Sequence, residues 1–343
     1  MAVCPEVKGD QMRKRTWLGP FLALALSLSA CGGGGGELSD RETKGDDTME
    51  TKFTVGTPIE EVIRDPAFEE YGRLLFPVDS AYWSGDTLGD LWLIWYSHID
   101  PSETVEIVNT LKERALAGET VFYDIYTDEE KAVDPEKEDT GLFFFKGEPG
   151  ARFAVCNAGG AFAYVGAMQD SFPHALELSK RGYNAFALIY RPGAQTACED
   201  LARAITFIFD HAGELHIDTR CYSLWGGSAG ARMAAWLGTY GPAAFGGDEL
   251  PRPGAVIMQY TGLGEYSPED PPTFACVGDR DGIAPWRVMR ARLDAMSACG
   301  IDTEFHRYPG LGHGFSLGTG TAAEGWLDLA VRFWERQMKS ACR

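Results

Sequence analysis

From position 120 onward the chain alternates two kinds of hydrophobic pattern. Short apolar runs at 121–126, 141–145, 153–156, 184–190, 221–225, 255–260, 273–277 and 303–308 read as strands. Between them, stretches at 171–181, 197–212, 229–240, 285–299 and 321–339 carry apolar residues at helical spacing. An acidic segment, 128–139, reads as a turn joining the first two strands. Such alternation predicts a mostly parallel central sheet with helices on both faces. In open sheets of this kind a site forms at the carboxyl ends of the strands.

Residues 53–119 break the pattern. They read as helical and are rich in aromatics, Phe76, Tyr82, Trp83, Trp92, Trp95 and Tyr96 among them, and Pro101-Ser102-Glu103-Thr104 opens a helix that ends near Gly118. Two readings stand: a helical layer packed on the sheet edge, or a cap whose aromatics line a pocket and stack on a sugar or aryl ring.

The first 31 residues read as an export signal rather than as part of the fold. Arg13, Lys14 and Arg15 precede an apolar run at 17–28, which is too short to span a bilayer comfortably as a permanent helix. Leu28-Ser29-Ala30-Cys31 resembles the lipobox of bacterial lipoproteins, and the resemblance implies that Cys31 becomes a lipidated N-terminus. The basic residues begin directly after Met12, so Met1 and Met12 are both candidate starts. Five glycines and a charged stretch up to Lys52 then form a flexible tether, 32–52.

A chain of 343 residues with 45% hydrophobic content can bury a large core. Its formal net charge of −19 argues against nucleic acid as a partner. Six cysteines follow the tether and none forms a Cys-x-x-Cys pair, which argues against a metal site. Cys156, Cys221 and Cys276 lie in or beside apolar runs, where a free cysteine acts as a small core residue. Export permits disulfides, and Cys299 and Cys342, each closing a helical stretch, are the pair to nominate.

The chemistry is concentrated in four short motifs. Ser228 sits in Trp225-Gly226-Gly227-Ser228-Ala229-Gly230, a Gly-x-Ser-x-Gly turn between a strand and a helix. A serine hydroxyl becomes a useful nucleophile when such a turn holds it clear of the chain and a base can reach it. The pattern is short, and in a chain with 41 glycines an ordinary turn is an equally good reading until partners are found. His313 supplies the base: it lies in the loop Gly310-Leu311-Gly312-His313-Gly314 between the last strand and the last helix, whereas His98, His174, His211, His216 and His306 have no such setting. Asp281, in Gly278-Asp279-Arg280-Asp281-Gly282-Ile283-Ala284-Pro285, supplies the acid that would orient the imidazole, with Asp279 read as a turn cap.

The order Ser228, Asp281, His313 is that of the α/β-hydrolase fold, and Asp-x-x-Ala-Pro is similar to the turn that carries the acid in many such hydrolases. The loop Cys156-Asn157-Ala158-Gly159-Gly160-Ala161-Phe162 resembles the glycine-rich oxyanion loops of esterases related to hormone-sensitive lipase and to feruloyl and acetyl-xylan esterases. Ala158 and Ala161 depart from that pattern. The resemblance covers about residues 120–340 and implies an oxyanion hole built from the amides of Gly159, Gly160 and Ala229.

These features imply an α/β-hydrolase fold with an N-terminal helical extension, divided as signal 1–31, tether 32–52, extension 53–119 and hydrolase domain 120–343. The function expected is hydrolysis of carboxylic esters, short-chain or carbohydrate-linked (acetyl or feruloyl), through an acyl-enzyme, outside the cytoplasm and without cofactor or metal. A peptidase of the prolyl-oligopeptidase kind shares the triad order, but the N-terminal region is too small for a propeller. A non-catalytic lipoprotein with a hydrolase fold would be marked by loss of a triad residue, and all three are present.

Overall fold

A computed structural model of the protein describes residues 52–341. The export signal, Cys31, the tether and Cys342 lie outside the described residues, as therefore does the nominated pairing of Cys299 with Cys342. Cys156, Cys198 and Cys276 are buried free thiols. Cys221, expected to be a free core residue, is instead disulfide-bonded, as is Cys299.

Two strands precede the main sheet, β1 (Trp83–Ser84) and β2 (Trp92–Leu93), paired antiparallel. The main sheet comprises β3 (Phe122–Tyr123), β4 (Gly141–Phe145), β5 (Arg152–Asn157), β6 (Asn184–Ile189), β7 (Asp218–Gly227), β8 (Ala255–Gln259), β9 (Thr273–Gly278) and β10 (Thr303–Tyr308). Their spatial order is β10-β9-β8-β7-β5-β6-β4-β3, parallel from β10 to β6 and antiparallel at β4 and β3. Strands β4, β6, β8 and β9 are buried at every position, which explains why their sequences are apolar without alternation.

The helices are α1 (Ile59–Ile63), α2 (Pro101–Leu116), α3 (Asp128–Val133), α4 (Ala167–Asp170), α5 (Phe172–Lys180), α6 (Ala194–Asp210), α7 (Ala229–Tyr240), α8 (Trp286–Ala298) and α9 (Trp326–Ala341). Two expectations are corrected. The acidic stretch 128–139 is not an open turn: Thr127 and Glu130 cap each other's backbone amides to start α3, and a 3-10 turn follows at Pro135–Asp139. Residues 53–100 are not broadly helical. Asp65 and Asp79 each accept from the amide two residues on, closing single 3-10 turns at Pro66–Phe68 and Ser80–Tyr82, so local side-chain bonds outcompete a longer helix there. Only α2 runs long, as its Asp100 cap and Pro101 predict.

Strand order reverses beside β5: the chain leaves β5 toward β6 on one side, while β7 is followed by β8 on the other. The loops after β5 and β7 therefore diverge at their carboxyl ends, the usual place for a ligand in a doubly wound sheet. The wall after β6 is fixed by a buried ion pair, Arg191 with Asp200 on α6, at 2.7 Å. Asp200 also accepts from the Arg191 amide and the Tyr126 hydroxyl. Asp200→Ala leaves a buried guanidinium with Asp134 as its remaining carboxylate partner among the described residues, and is expected to destabilise the fold by about 3 kcal/mol in urea unfolding.

Candidate active site

Ser228 occupies the single residue between β7 and α7, at φ 52° and ψ −112°. A non-glycine residue enters this region only when its surroundings over-determine it. Here the Ser228 amide donates to the Gln259 carbonyl at the end of β8, at 3.0 Å. Gly226 and Gly230 supply the close approach: a Cβ on Gly226 would overlap the Gly230 backbone, and one on Gly230 would overlap the Asn157 carbonyl at the end of β5. The turn is thus the place where strand, helix and the neighbouring strand touch backbone to backbone.

The loops after β9 and β10 bring the expected partners to it. His313 Nε2 lies 3.0 Å from Ser228 Oγ, and His313 Nδ1 lies 2.8 Å from Asp281 Oδ2. Asp281 is held by two amides, of Ile283 (2.8 Å) and Ala284 (2.7 Å), both donating to its Oδ1. A carboxylate only accepts, so His313 Nδ1–H donates to Asp281 and Nε2 is left to accept from the serine hydroxyl. Asp279 accepts from the Gly310 amide at 2.7 Å, which is the turn-capping part expected of it. The edge of the Tyr260 ring packs on the imidazole, centroids 5.0 Å apart.

The glycine loop after β5 lies beside the same serine, since a Cβ on Gly159 would stand 2.9 Å from Ser228 Cβ. One expected donor is corrected. The Gly159 amide donates to Asp170 Oδ2 at 2.6 Å and is not open to a substrate. Among the described residues no hydrogen bond engages the amides of Gly160, Ala161 or Ala229. Ala161 (φ 56°) and Phe162 (φ 60°) are both left-handed, a costly arrangement of about 1–2 kcal/mol per residue that turns this stretch of backbone over.

Two contributors escaped the sequence reading. Asp170 is fully buried at the end of α4; it is the only Asp, Glu, Lys or Arg between Arg152 and Glu177, and that isolation was the available signal. Tyr96, from the N-terminal region, donates to Asp170 Oδ2 at 3.0 Å, and the next amide, of Ser97, donates to the carbonyls of His313 and Gly314. Tyr164 donates to the Ile94 carbonyl at 2.5 Å and its ring stacks with those of Tyr82 and Trp95. Residues 94–97 therefore run between the glycine loop and the histidine loop. Burial, and then the nearby Asp170, push the phenols of Tyr96 and Tyr260 well above their ordinary pKa, so both stay hydroxyl donors.

Three of the other histidines have structural surroundings: His211 bonds the Phe207 carbonyl, His306 meets Glu304, and His174 is buried with its ring roughly perpendicular to that of Trp326. The thiols of Cys156 and Cys276 are raised, first by burial and then by Asp170, and remain protonated core groups. Among the described residues no group of three or more His, Cys, Asp or Glu is arranged to hold a metal ion.

Residues 147–249 match the BD-FAE family model. No curated protein sequence matches the chain. Among solved structures, the chain is similar to a thermophilic esterase from Thermogutta terrifontis, with 23% identity, a TM-score of 0.50, and 60% of this chain and 90% of that one covered. It is also similar to an acetyl ester-xyloside bifunctional hydrolase from Caldicellulosiruptor lactoaceticus, with 20% identity, a TM-score of 0.53, and 63% and 95% covered. A sugar hydrolase from Lactococcus lactis aligns with 21% identity, a TM-score of 0.50, and 58% and 95% covered. The chain has the α/β-hydrolase fold.

A pH dependence follows from His174. Burial lowers its imidazole pKa below the ordinary 6.5, with Asp170 opposing this in part. The folded state keeps the ring neutral where the unfolded chain takes up a proton, so its contribution to stability is complete above about pH 6.5 and is lost as pH falls. Urea unfolding at pH 7 and pH 5.5 is expected to show His174→Gln with a shallower acid loss than the unaltered protein, by at most about 1.4 kcal/mol per pH unit.

Proposed function

We propose that the protein is a serine carboxylic-ester hydrolase working through an acyl-enzyme. The observation that carries the reading is the unbroken line of hydrogen bonds from Ser228 Oγ through His313 to Asp281. Ser228 Oγ attacks the ester carbonyl as its proton passes to His313 Nε2, and Asp281 stabilises the imidazolium. The negative charge that develops on the carbonyl oxygen meets the amides of Gly160, Ala161 and Ala229. The C–O bond to the leaving alcohol then breaks, and His313 returns the proton to that alcohol. Water, deprotonated by His313, attacks the acyl-serine; the acid leaves and Ser228 regains its proton. No cofactor or metal enters these steps.

The substrate class we assign is short-chain or carbohydrate-linked esters, acetyl or feruloyl. Supporting it are the BD-FAE match, and the stacked rings of Tyr82, Tyr164 and exposed Trp95, which adjoin Tyr96 and offer a flat face to a sugar or aryl ring. The leader sequence supports an exported protein, anchored by lipid on Cys31 and facing outside the cytoplasm.

Hydrolysis of p-nitrophenyl acetate tests the chemistry. Ser228→Ala is expected to lower kcat by at least about 10⁴-fold with an unchanged thermal midpoint, as removal of a triad nucleophile does elsewhere. Activity retained in that variant contradicts the assignment.

A further inference from the structure

We infer that Asp170 is a positioning residue that sets the oxyanion loop, acting through the Gly159 amide and clamped by the hydroxyls of Tyr96 and Tyr260. The inference builds on the hydrolase reading above and names a part of its machinery. Asp170 touches no reacting atom; it acts through its three donors.

A carboxyl buried without a cation persists only if hydrogen bonds replace its water. Among the described residues no Lys or Arg pairs with Asp170. Its Oδ2 accepts from the Gly159 amide (2.6 Å) and the Tyr96 hydroxyl (3.0 Å), and its Oδ1 accepts from the Tyr260 hydroxyl. A position that only filled space would be served as well by an uncharged side chain.

Each donor belongs to a different wall of the site. Gly159 opens the oxyanion loop. Tyr96 precedes Ser97, whose amide holds the His313 and Gly314 carbonyls, and Tyr260 is the ring packed on the His313 imidazole. The carboxyl also fills the space where Gly227, the residue before Ser228, would carry a Cβ. One buried group thereby fixes the donors for the oxyanion, the base and the nucleophile relative to one another.

The consequence for the loop is geometric. Holding the Gly159 amide fixes the Ala158–Gly159 peptide plane, immediately ahead of Gly160 (φ 127°), Ala161 and Phe162, three consecutive residues at positive φ. Two of these are not glycine, so the turn needs an anchor at its start to keep the Gly160 and Ala161 amides directed together. An oxyanion hole out of place by about 1 Å loses on the order of 100-fold in rate.

The test is steady-state hydrolysis of p-nitrophenyl acetate by the unaltered protein, Asp170→Ala, Asp170→Asn and Tyr96→Phe, with active sites counted by fluorophosphonate titration and folding checked by thermal midpoint. Asp170→Ala is expected to lose about 100-fold in kcat per active site with KM within about threefold. Asp170→Asn should recover about tenfold of that loss, because its amide oxygen can still accept from Gly159. Tyr96→Phe, which removes one hydroxyl and carries the test should Asp170→Ala fail to fold, is expected to lose about tenfold in kcat. Folded variants with unaltered kcat, a change confined to KM, or an Asn variant no better than Ala would overturn the assignment. An unaltered protein inert toward esters contradicts the hydrolase reading itself, whereas an active one with unimpaired variants contradicts only the part given to Asp170.

Discussion

The site depends on one steric constraint, the contact of the α7 backbone with the carbonyl end of β5. Gly230 meets the Asn157 carbonyl and Gly226 meets Gly230, so the chain can pass from strand to helix in a single residue. That residue is Ser228, and the sharpness of the passage is what forces it into the left-handed half of conformational space. The same contact sets the glycine loop beside the first turn of α7, with Gly159 against Ser228.

The remaining chemistry converges because parallel strands end on one edge of the sheet. Loops after β7, β9 and β10 deliver Ser228, Asp281 and His313 there, the loop after β5 lies beside them, and the end of β8 with the residue after it supplies the carbonyl that pins Ser228 and the ring that packs on His313. Long sequence separation is no obstacle when the sheet order does the assembling. The N-terminal region joins this assembly through residues 94–97, so this stretch lies at the site itself and not only against the sheet edge.

What was legible in the sequence was whatever has a local cause. Apolar runs gave β4, β5, β6, β8 and β9 within one residue, because burial leaves almost no polar position to blur them, whereas β7 begins three residues before its apolar run, at partly exposed Asp218. Ser228, Asp281 and His313 were readable because each sits in a turn with its own glycine or proline signature. The acidic stretch 128–139 was misread as a turn because a capping box, Thr127 with Glu130, outweighed its charge. The bond from the Gly159 amide to Asp170 was out of reach for a different reason. A backbone amide has no sequence signature, and whether it is free depends on a side chain eleven residues away in sequence but adjacent in space. Tyr96 was visible only as one aromatic among many, its part set entirely by tertiary contact.

The central claim is that this convergence makes Ser228 an activated nucleophile. The most direct measurement is reaction with a fluorophosphonate probe followed by peptide mass spectrometry. The account predicts one adduct per molecule, on the peptide that contains Ser228 and at that serine. A protein that stays unlabelled while folded, or that carries the adduct on another residue, would contradict it.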